Sequence, residues 1–144
     1  MARAGFRPRH IVTAVGSGGT AAGLIAGRAL QGRRTPEVWG VNVCDDAPTF
    51  EREIRAIIEE MNACFGLRLK PSSTPIRILD GYVGAGYAVP DPEEMELLKL
   101  VGTLEGQVLD PVYTGKALHG LREEIRKGRF TRRDTVIFVH TGGI

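Results

Sequence analysis

The sequence has few of the residues that would tie it to a disulfide framework, a metal or a membrane. Its two cysteines, Cys44 and Cys64, form no CxxC pair and share no metal-ligand spacing with the three histidines. No segment approaches the ~18 consecutive apolar residues of a membrane span. We therefore predict free thiols, no metal site, no membrane partner and a cytoplasmic location.

An excess of charge of one sign is also lacking. The 19 basic and 17 acidic side chains leave a formal net charge of +2. The densest basic segment, residues 126–133, separates a predicted helix from a predicted strand, which is typical of a solvated turn. The sequence therefore predicts no nucleic-acid partner. The GK[ST] motif of a Walker phosphate loop is absent as well.

Glycine, in contrast, is abundant, with 19 among 144 residues. Around it, β-branched segments alternate with helical patterns. The predicted strands are residues 10–15, 37–44, 76–79 and 135–140, and the predicted helices are residues 20–30, 45–65, 92–104 and 114–127. This alternation predicts an α/β fold, an open and mostly parallel sheet with helices on both faces in three α-β-α layers.

Apolar spacing defines the last two helices. In helix 92–104 the apolar positions are Met95, Leu98 and Val101, with Leu97 and Leu104 beside them. In helix 114–127 we expect an inward stripe and a charged outer face. The inward stripe is Leu118, Leu121 and Ile125, and the outer face is Arg122, Glu123, Glu124 and Arg126.

Two of the predicted strands end in polar, glycine-rich turns, VGSGGT at residues 15–20 and VHTGG at residues 139–143. In a parallel sheet both turns lie at the same edge, where ligands bind. The first turn opens a helix, so the amides of Gly18, Gly19 and Thr20 form an anion site with the Ser17 and Thr20 hydroxyls. A phosphate is the expected occupant.

The kind of phosphate is left open by the turn alone. Gly16, Gly18 and Ala21 satisfy a loose dinucleotide pattern, which requires a ribose-binding carboxylate about 20 residues further on. Asp45 and Asp46 come about 29 positions after Gly16, which favours a monophosphate ester. A Rossmann-like nucleotide-binding module remains an alternative, and so does a chain that only packs and self-associates.

Four segments, in this order, carry a resemblance to a known family. They are VGSGGTAAGL, GYAVPDPEEME, LEGQVLDPVYTGKALHGL and FVHTGG. Together they resemble the C-terminal half of the pyridoxal-phosphate enzymes of the D-cysteine desulfhydrase and 1-aminocyclopropane-1-carboxylate deaminase family, which have the fold type II of tryptophan synthase β. The resemblance implies that residues 1–144 are one fragment, the C-terminal part of a cofactor-binding large domain without its N-terminal catalytic half.

The resemblance also implies roles for individual residues. The family's loop that holds the cofactor phosphate corresponds here to Gly16, Ser17, Gly18, Gly19 and Thr20. Tyr87 and Tyr113 match two catalytic tyrosines near the substrate, and Thr141 matches a threonine that hydrogen-bonds the pyridine nitrogen. Thr114 stands where the deaminase branch has a glutamate. A neutral partner at Thr114 or Thr141 cannot hold a pyridinium by charge.

For the complete enzyme, the resemblance favours α,β-elimination of D-cysteine or an analogue to pyruvate, sulfide and ammonia. A deaminase-like fragment is the alternative. Members of the family are typically homodimers and bind the cofactor aldehyde through a Schiff-base lysine in their N-terminal half. None of Lys70, Lys99, Lys116 and Lys127 stands in that motif. We therefore expect this chain alone to be inactive.

Overall fold

Four parallel strands and four helices alternate along the chain in the computed structural model, which describes residues 7–70 and 74–142. In chain order the elements are β1 (His10–Val15), α1 (Gly19–Leu30), β2 (Glu37–Asn42), α2 (Ala47–Phe65), β3 (Arg77–Leu79), α3 (Pro92–Glu105), α4 (Thr114–Arg126) and β4 (Val136–Val139). The strand order is β3-β2-β1-β4. The predicted α/β class is confirmed, whereas residues 71–73 of the predicted connection and Gly143 of the last turn lie outside the described residues.

The sheet is covered on both faces, because successive side chains of a strand point to opposite sides. Helices α1 and α2 pack on one face, where Val15 of β1 meets Ile25 and Ile54. Helix α4 packs on the other face, where Val12 of β1 meets Leu121. Helix α3 packs mainly against α4 and forms the outer part of that layer. The predicted three-layer arrangement is therefore present.

Three helices begin in different ways, and the difference matters for the site. Asp46 caps α2 by accepting a hydrogen bond from the Thr49 amide. Asp91 and Glu94 form a reciprocal capping box at α3. The N-cap residue of α1 is Gly18, which adopts a left-handed conformation and offers no side-chain cap. The first amides of α1 are therefore left for another acceptor.

Helix α3 buries Glu94 and Leu97, whereas Met95 and Leu104 are exposed. The predicted inward face of α4 is partly wrong. Helix α4 buries Glu124, predicted to face outward, and exposes Ile125, predicted to face inward. Leu121 is buried as predicted.

The rotation of α4 follows from small residues that the apolar pattern did not weigh. A Cβ on Gly120 would lie 2.8 Å from Val41 Cγ1, and one on Gly115 would lie 2.6 Å from the Asp110 carbonyl oxygen. These glycines let the helix backbone approach its neighbours closely, so the glycine face of α4 turns inward. Among the described residues, no helix is both long and apolar enough to cross a membrane.

Candidate functional site

A cleft of about 210 Å³ opens at the carboxyl ends of β1 and the edge strand β4. Strands β1 and β4 are adjacent and parallel, so the turns that follow them meet. The cleft is lined by Ala14, Gly16, Ser17, Gly18, Gly19, Thr20, Tyr113 and Thr141. The structure thus brings the predicted glycine loop together with Tyr113 and Thr141.

The glycine loop presents an open helix N-terminus to this cleft. Gly18 has a φ of 78°, and its carbonyl oxygen accepts the Ala22 amide as the first turn of α1 closes. The amides of Gly19, Thr20 and Ala21 precede that bond and have no acceptor within the helix. No acidic residue stands in the first turn. The positive end of the helix dipole is therefore available to an anion.

Tyr113 lies against this loop so closely that Gly16 has no room for a side chain. A Cβ on Gly16 would be 2.7 Å from Tyr113 Cε1, well inside van der Waals contact. Gly16 therefore sets how deeply the tyrosine ring can enter the cleft. Cys44 adjoins the same loop, with its Sγ 3.7 Å from the Gly16 carbonyl oxygen. Burial raises the pKa of the Cys44 thiol.

The two predicted tyrosines form a pair. Their phenol oxygens are 2.5 Å apart, and their rings meet edge to face with centroids 5.9 Å apart. The hydrogen bond with Tyr87 raises the pKa of Tyr113 above its ordinary value. Tyr87 lies outside the cleft wall itself and reaches it through Tyr113. The pair joins the glycine-rich segment 81–90 to the start of α4.

Thr114 is placed differently from Thr141. Its side chain is buried, and its Oγ1 lies 2.5 Å from an Asp110 carboxylate oxygen and 3.2 Å from the Gly142 carbonyl oxygen. It is absent from the cleft wall, whereas Thr141 forms part of it.

Asp110 is a site residue that the sequence analysis treated only as part of a turn. Its carboxylate accepts hydrogen bonds from the amides of Val112, Tyr113 and Thr114 and from the Thr114 hydroxyl. Burial opposes ionisation of Asp110, but these donors outweigh it and hold the pKa below its ordinary value. The position of an Asp four residues before the first residue of α4 could have identified this role.

The carboxylates that a nucleotide ribose would need lie elsewhere. Asp46 caps α2, and the Asp45 side chain accepts the Asp46 amide. Asp80 accepts hydrogen bonds from Asn42 Nδ2 and the Ala47 amide. None of these three aspartates is among the described residues that line the cleft.

A separate cluster joins α3 to α4. Single ligand atoms of Glu93, His119 and Glu123 lie within 4.8 Å of one another, an arrangement that could hold a metal ion. The Arg122 guanidinium occupies this neighbourhood, with Nη2 3.2 Å from His119 Nδ1 and Nε 3.2 Å from a Glu123 oxygen. The cluster therefore already contains a cation that neutralises its carboxylates.

Comparisons with known proteins identify relatives of this chain. A relative in Thermotoga maritima, provisionally named a 1-aminocyclopropane-1-carboxylate deaminase, is 44% identical over 93% of this chain and 41% of its own length. A D-cysteine desulfhydrase of Salmonella paratyphi C is 38% identical over 92% of this chain and 39% of its own length. This chain therefore spans about two-fifths of the length of these curated relatives.

The solved structures give the same relationship in three dimensions. The crystal structure of an ACC deaminase homologue superposes with a TM-score of 0.81 and 32% identity, over 96% of this chain and 41% of the other. The family model for pyridoxal-phosphate dependent enzymes matches residues 1–142. The glycine loop, which lies within the matched residues, lines the cleft. This chain belongs to the family of pyridoxal-phosphate dependent enzymes.

Proposed function

We propose that this chain forms the phosphate-binding wall of a pyridoxal-phosphate dependent lyase and acts together with a further polypeptide segment that supplies the cofactor-binding lysine. The observation that carries the proposal is the open N-terminus of α1, which faces a cleft shared with Tyr113 and Thr141. None of the described residues that line the cleft is a lysine. This composition supports the need for a second segment.

The residues present fit the phosphate group of the cofactor. Free amides at a helix N-terminus, two hydroxyls and the absence of a first-turn acid together favour a dianion. Gly16 has no room for a side chain beside Tyr113, and a Cβ on Gly18 would lie 3.0 Å from Ile54 Cγ1, so the loop can take this path only with glycine at these positions. Gly16, Ser17, Gly18, Gly19 and Thr20 would hold the phosphate, and Thr141 would face the ring.

The reaction that this wall supports best is α,β-elimination from D-cysteine or a related amino acid. Bound pyridoxal phosphate supplies an electron sink for the carbanion at Cα of the substrate. Thr141 would give the ring nitrogen of the cofactor a neutral hydroxyl partner, so the electron sink would be weak. Elimination tolerates a weak sink because the electron pair at Cα forms a double bond as the thiolate leaves Cβ. The Tyr87–Tyr113 pair would bind the substrate or hold a proton beside its leaving group. Deamination of 1-aminocyclopropane-1-carboxylate is the alternative.

The phosphate assignment is tested by placing a negative charge in the cleft with Ser17→Asp. Ser17 is exposed and lines the cleft. We expect the affinity of the chain for pyridoxal phosphate to fall at least about tenfold, because like charges a few ångströms apart near a protein surface cost on the order of 1–4 kcal/mol. Isothermal titration and the ³¹P resonance of the ligand measure this effect.

Ser17→Asn is the matched control, since it has the shape of aspartate without the charge, and it should bind within about threefold of the wild type. An acid before α1 also favours the helix dipole, so Ser17→Asp should not unfold the chain. Pyridoxal without its phosphate should bind equally to both variants. Affinity for pyridoxal phosphate that is unaffected by Ser17→Asp, or adenosine phosphates that bind more tightly, would refute the assignment.

A further inference from the structure

Lys116 is a completely buried lysine that the proposed function does not use. Its relative exposure is 0%, although it lies in the first turn of α4 beside the cleft-lining Tyr113. A buried ammonium group costs free energy unless hydrogen bonds satisfy it. Lys116 Nζ donates to two backbone carbonyl oxygens, those of Val83 and Gly86, the latter at 2.6 Å.

Both acceptors belong to the segment that carries Tyr87. Between residues 81 and 90 this segment has no helix or strand, and Ala88 adopts a positive φ of 58°. Its backbone makes one turn bond, from the Val89 amide to the same Gly86 carbonyl oxygen, at 3.2 Å. A segment with so few backbone bonds of its own takes its conformation from outside contacts. The Lys116 ammonium provides two of them.

The same two pieces of chain meet a second time at the tyrosine pair. Tyr113 is three residues before Lys116 on the start of α4, and Tyr87 directly follows Gly86 in the segment. The phenol contact of 2.5 Å therefore connects the same two pieces of backbone that the Lys116 ammonium connects. Because Lys116 fixes the carbonyl groups of residues 83 and 86, it also fixes the backbone position of Tyr87.

We propose that Lys116 is a positioning residue that fixes segment 83–86 and thereby sets Tyr87 against Tyr113; its relevance to catalysis rests on the proposed function. The competing explanation is that Lys116 only neutralises Glu94. Glu94 is 2% exposed, and its Oε1 has no hydrogen-bond partner among the described residues. Neutralisation alone would not link Lys116 to the tyrosines, so the two explanations differ in a measurable way.

The test is Lys116→Met, which keeps an unbranched side chain and removes the donors. The ¹³Cζ resonances of the three tyrosines, followed through an alkaline titration, report the pair directly. In the wild type the hydrogen bond with Tyr87 raises the pKa of Tyr113. In Lys116→Met we expect the Tyr113 titration to shift to that of Tyr87→Phe. Amide exchange at Val89 should accelerate by about tenfold or more, as a lost charge-assisted bond predicts.

Controls separate this effect from a general loss of structure. Lys99→Met makes the same change at an exposed position of α3 and should leave both readouts unchanged. The Trp39 indole resonance, from a ring that packs edge to face against Phe130, reports the intact core away from this segment and should not move. The double variant Lys116→Met with Glu94→Gln removes both charges. Positioning by Lys116 requires that the Tyr113 titration remain displaced in this variant, whereas restoration of the wild-type titration would support neutralisation instead.

A Tyr113 titration in Lys116→Met that matches the wild type would overturn the proposal. If Lys116→Met does not fold, Lys116→Gln is measured in the same way. Its neutral amide reaches less far than the ammonium and offers no charge-assisted hydrogen bond, so faster exchange at Val89 supports positioning and unchanged exchange overturns it. These measurements need no cofactor. A chain that fails to bind pyridoxal phosphate would therefore refute the proposed function and leave this inference intact, and an unmoved Tyr113 would do the reverse.

Discussion

At the scale of single residues, the shape of the cleft depends on its glycine residues as much as on its polar side chains. Gly16 leaves room for the Tyr113 ring, and Gly18 supplies the left-handed turn from which α1 begins without a cap. The Asp110 carboxylate then fixes the backbone around Tyr113 by accepting hydrogen bonds from three amides at the start of α4. The wall of the cleft is therefore built mainly by backbone conformation.

Gly16→Ala tests this dependence. The added Cβ would lie 2.7 Å from Tyr113 Cε1, so we expect the ring to move and the Tyr87–Tyr113 contact to be lost. Because the ring is partly exposed and can turn away, the free energy of unfolding should fall only by about 1 kcal/mol. Cross-peaks between the two tyrosine rings in nuclear Overhauser spectra measure the contact.

Gly19→Ala is the matched control for that change. A Cβ on Gly19 meets no atom within 4 Å, and Gly19 is the first residue of α1. The ring cross-peaks should persist, and the free energy of unfolding should change by less than about 1 kcal/mol, toward greater stability because alanine is the better helix former. Cross-peaks that survive in Gly16→Ala would mean that the cleft tolerates the extra carbon atom.

At the scale of elements, α4 differs most from its predicted amphipathic pattern. Glu124 is only 5% exposed and accepts hydrogen bonds from Tyr82, Lys127 and Arg129. Burial opposes ionisation of Glu124, but these donors outweigh it and lower the pKa of the carboxyl. Burial raises the pKa of Tyr82, and its hydrogen bond to Glu124 raises it further against the lowering effect of Lys127. An acid on the inner face thus connects α4 to the end of β3 and to the turn before β4.

Glu124→Gln should destabilise the chain in a pH-dependent manner. Removing one member of a buried charged network costs about 2–4 kcal/mol at neutral pH. A carboxyl whose pKa is lowered by folding stabilises the folded state above its unfolded pKa of about 4.3. Its contribution to the free energy of unfolding is lost as the pH falls through the lower pKa of the folded state. Urea unfolding of both proteins between pH 7 and pH 3 measures the difference, which should shrink toward the acid end.

Glu123→Gln, at the neighbouring and more exposed position, is the control. Its ion pairs with Arg122 and Arg126 lie near the surface, where solvent screens them, and should contribute little to stability. Equal losses in the Glu123 and Glu124 variants would contradict the buried role of Glu124.

At the scale of the whole molecule, the sheet of the described residues has two edges, β3 and β4, with the cleft beside β4. The outer side of α3 exposes apolar side chains, among them Leu100 and Leu104. The relatives are more than twice as long as this chain. An open cleft wall, an open edge and an exposed apolar helix face are consistent with a complementary segment, as the proposed function requires.

Complementation tests that requirement. We expect D-cysteine to yield sulfide and pyruvate only when this chain is combined, with pyridoxal phosphate, with the N-terminal segment of a relative such as the Thermotoga maritima protein. Sulfide release and a coupled lactate dehydrogenase assay for pyruvate measure the turnover. Neither polypeptide alone should exceed the rate of the free cofactor.

In the same mixture, Tyr113→Phe should lower the turnover rate at least about 100-fold, because a general acid or base typically contributes a factor of this size. Turnover of D-cysteine by this chain alone would contradict the need for a second segment. Release of ammonia and 2-oxobutanoate from 1-aminocyclopropane-1-carboxylate by the mixture, without sulfide from D-cysteine, would favour the deaminase alternative.

Much of the fold and part of the site could be predicted from local patterns. The bounds of β1 and α4, the aspartate caps of α2 and α3 and the glycine loop before α1 all follow from residues close in sequence, whose propensities act locally. The family resemblance rests on the same local motifs. Parallel alternation also placed the two glycine-rich turns at one edge of the sheet.

Tertiary packing decided what local patterns could not. Helical periodicity states which residues share a face, but the partner that covers the face decides which face is buried. Close approach at Gly120 therefore turned Glu124 inward and Ile125 outward. Likewise, the pairing of β1 with β4 brought Thr141 beside Gly16, and the burial of Lys116 joined α4 to the segment of Tyr87. These contacts join residues far apart in sequence, and their geometry depends on the shape of the space left by every neighbouring element.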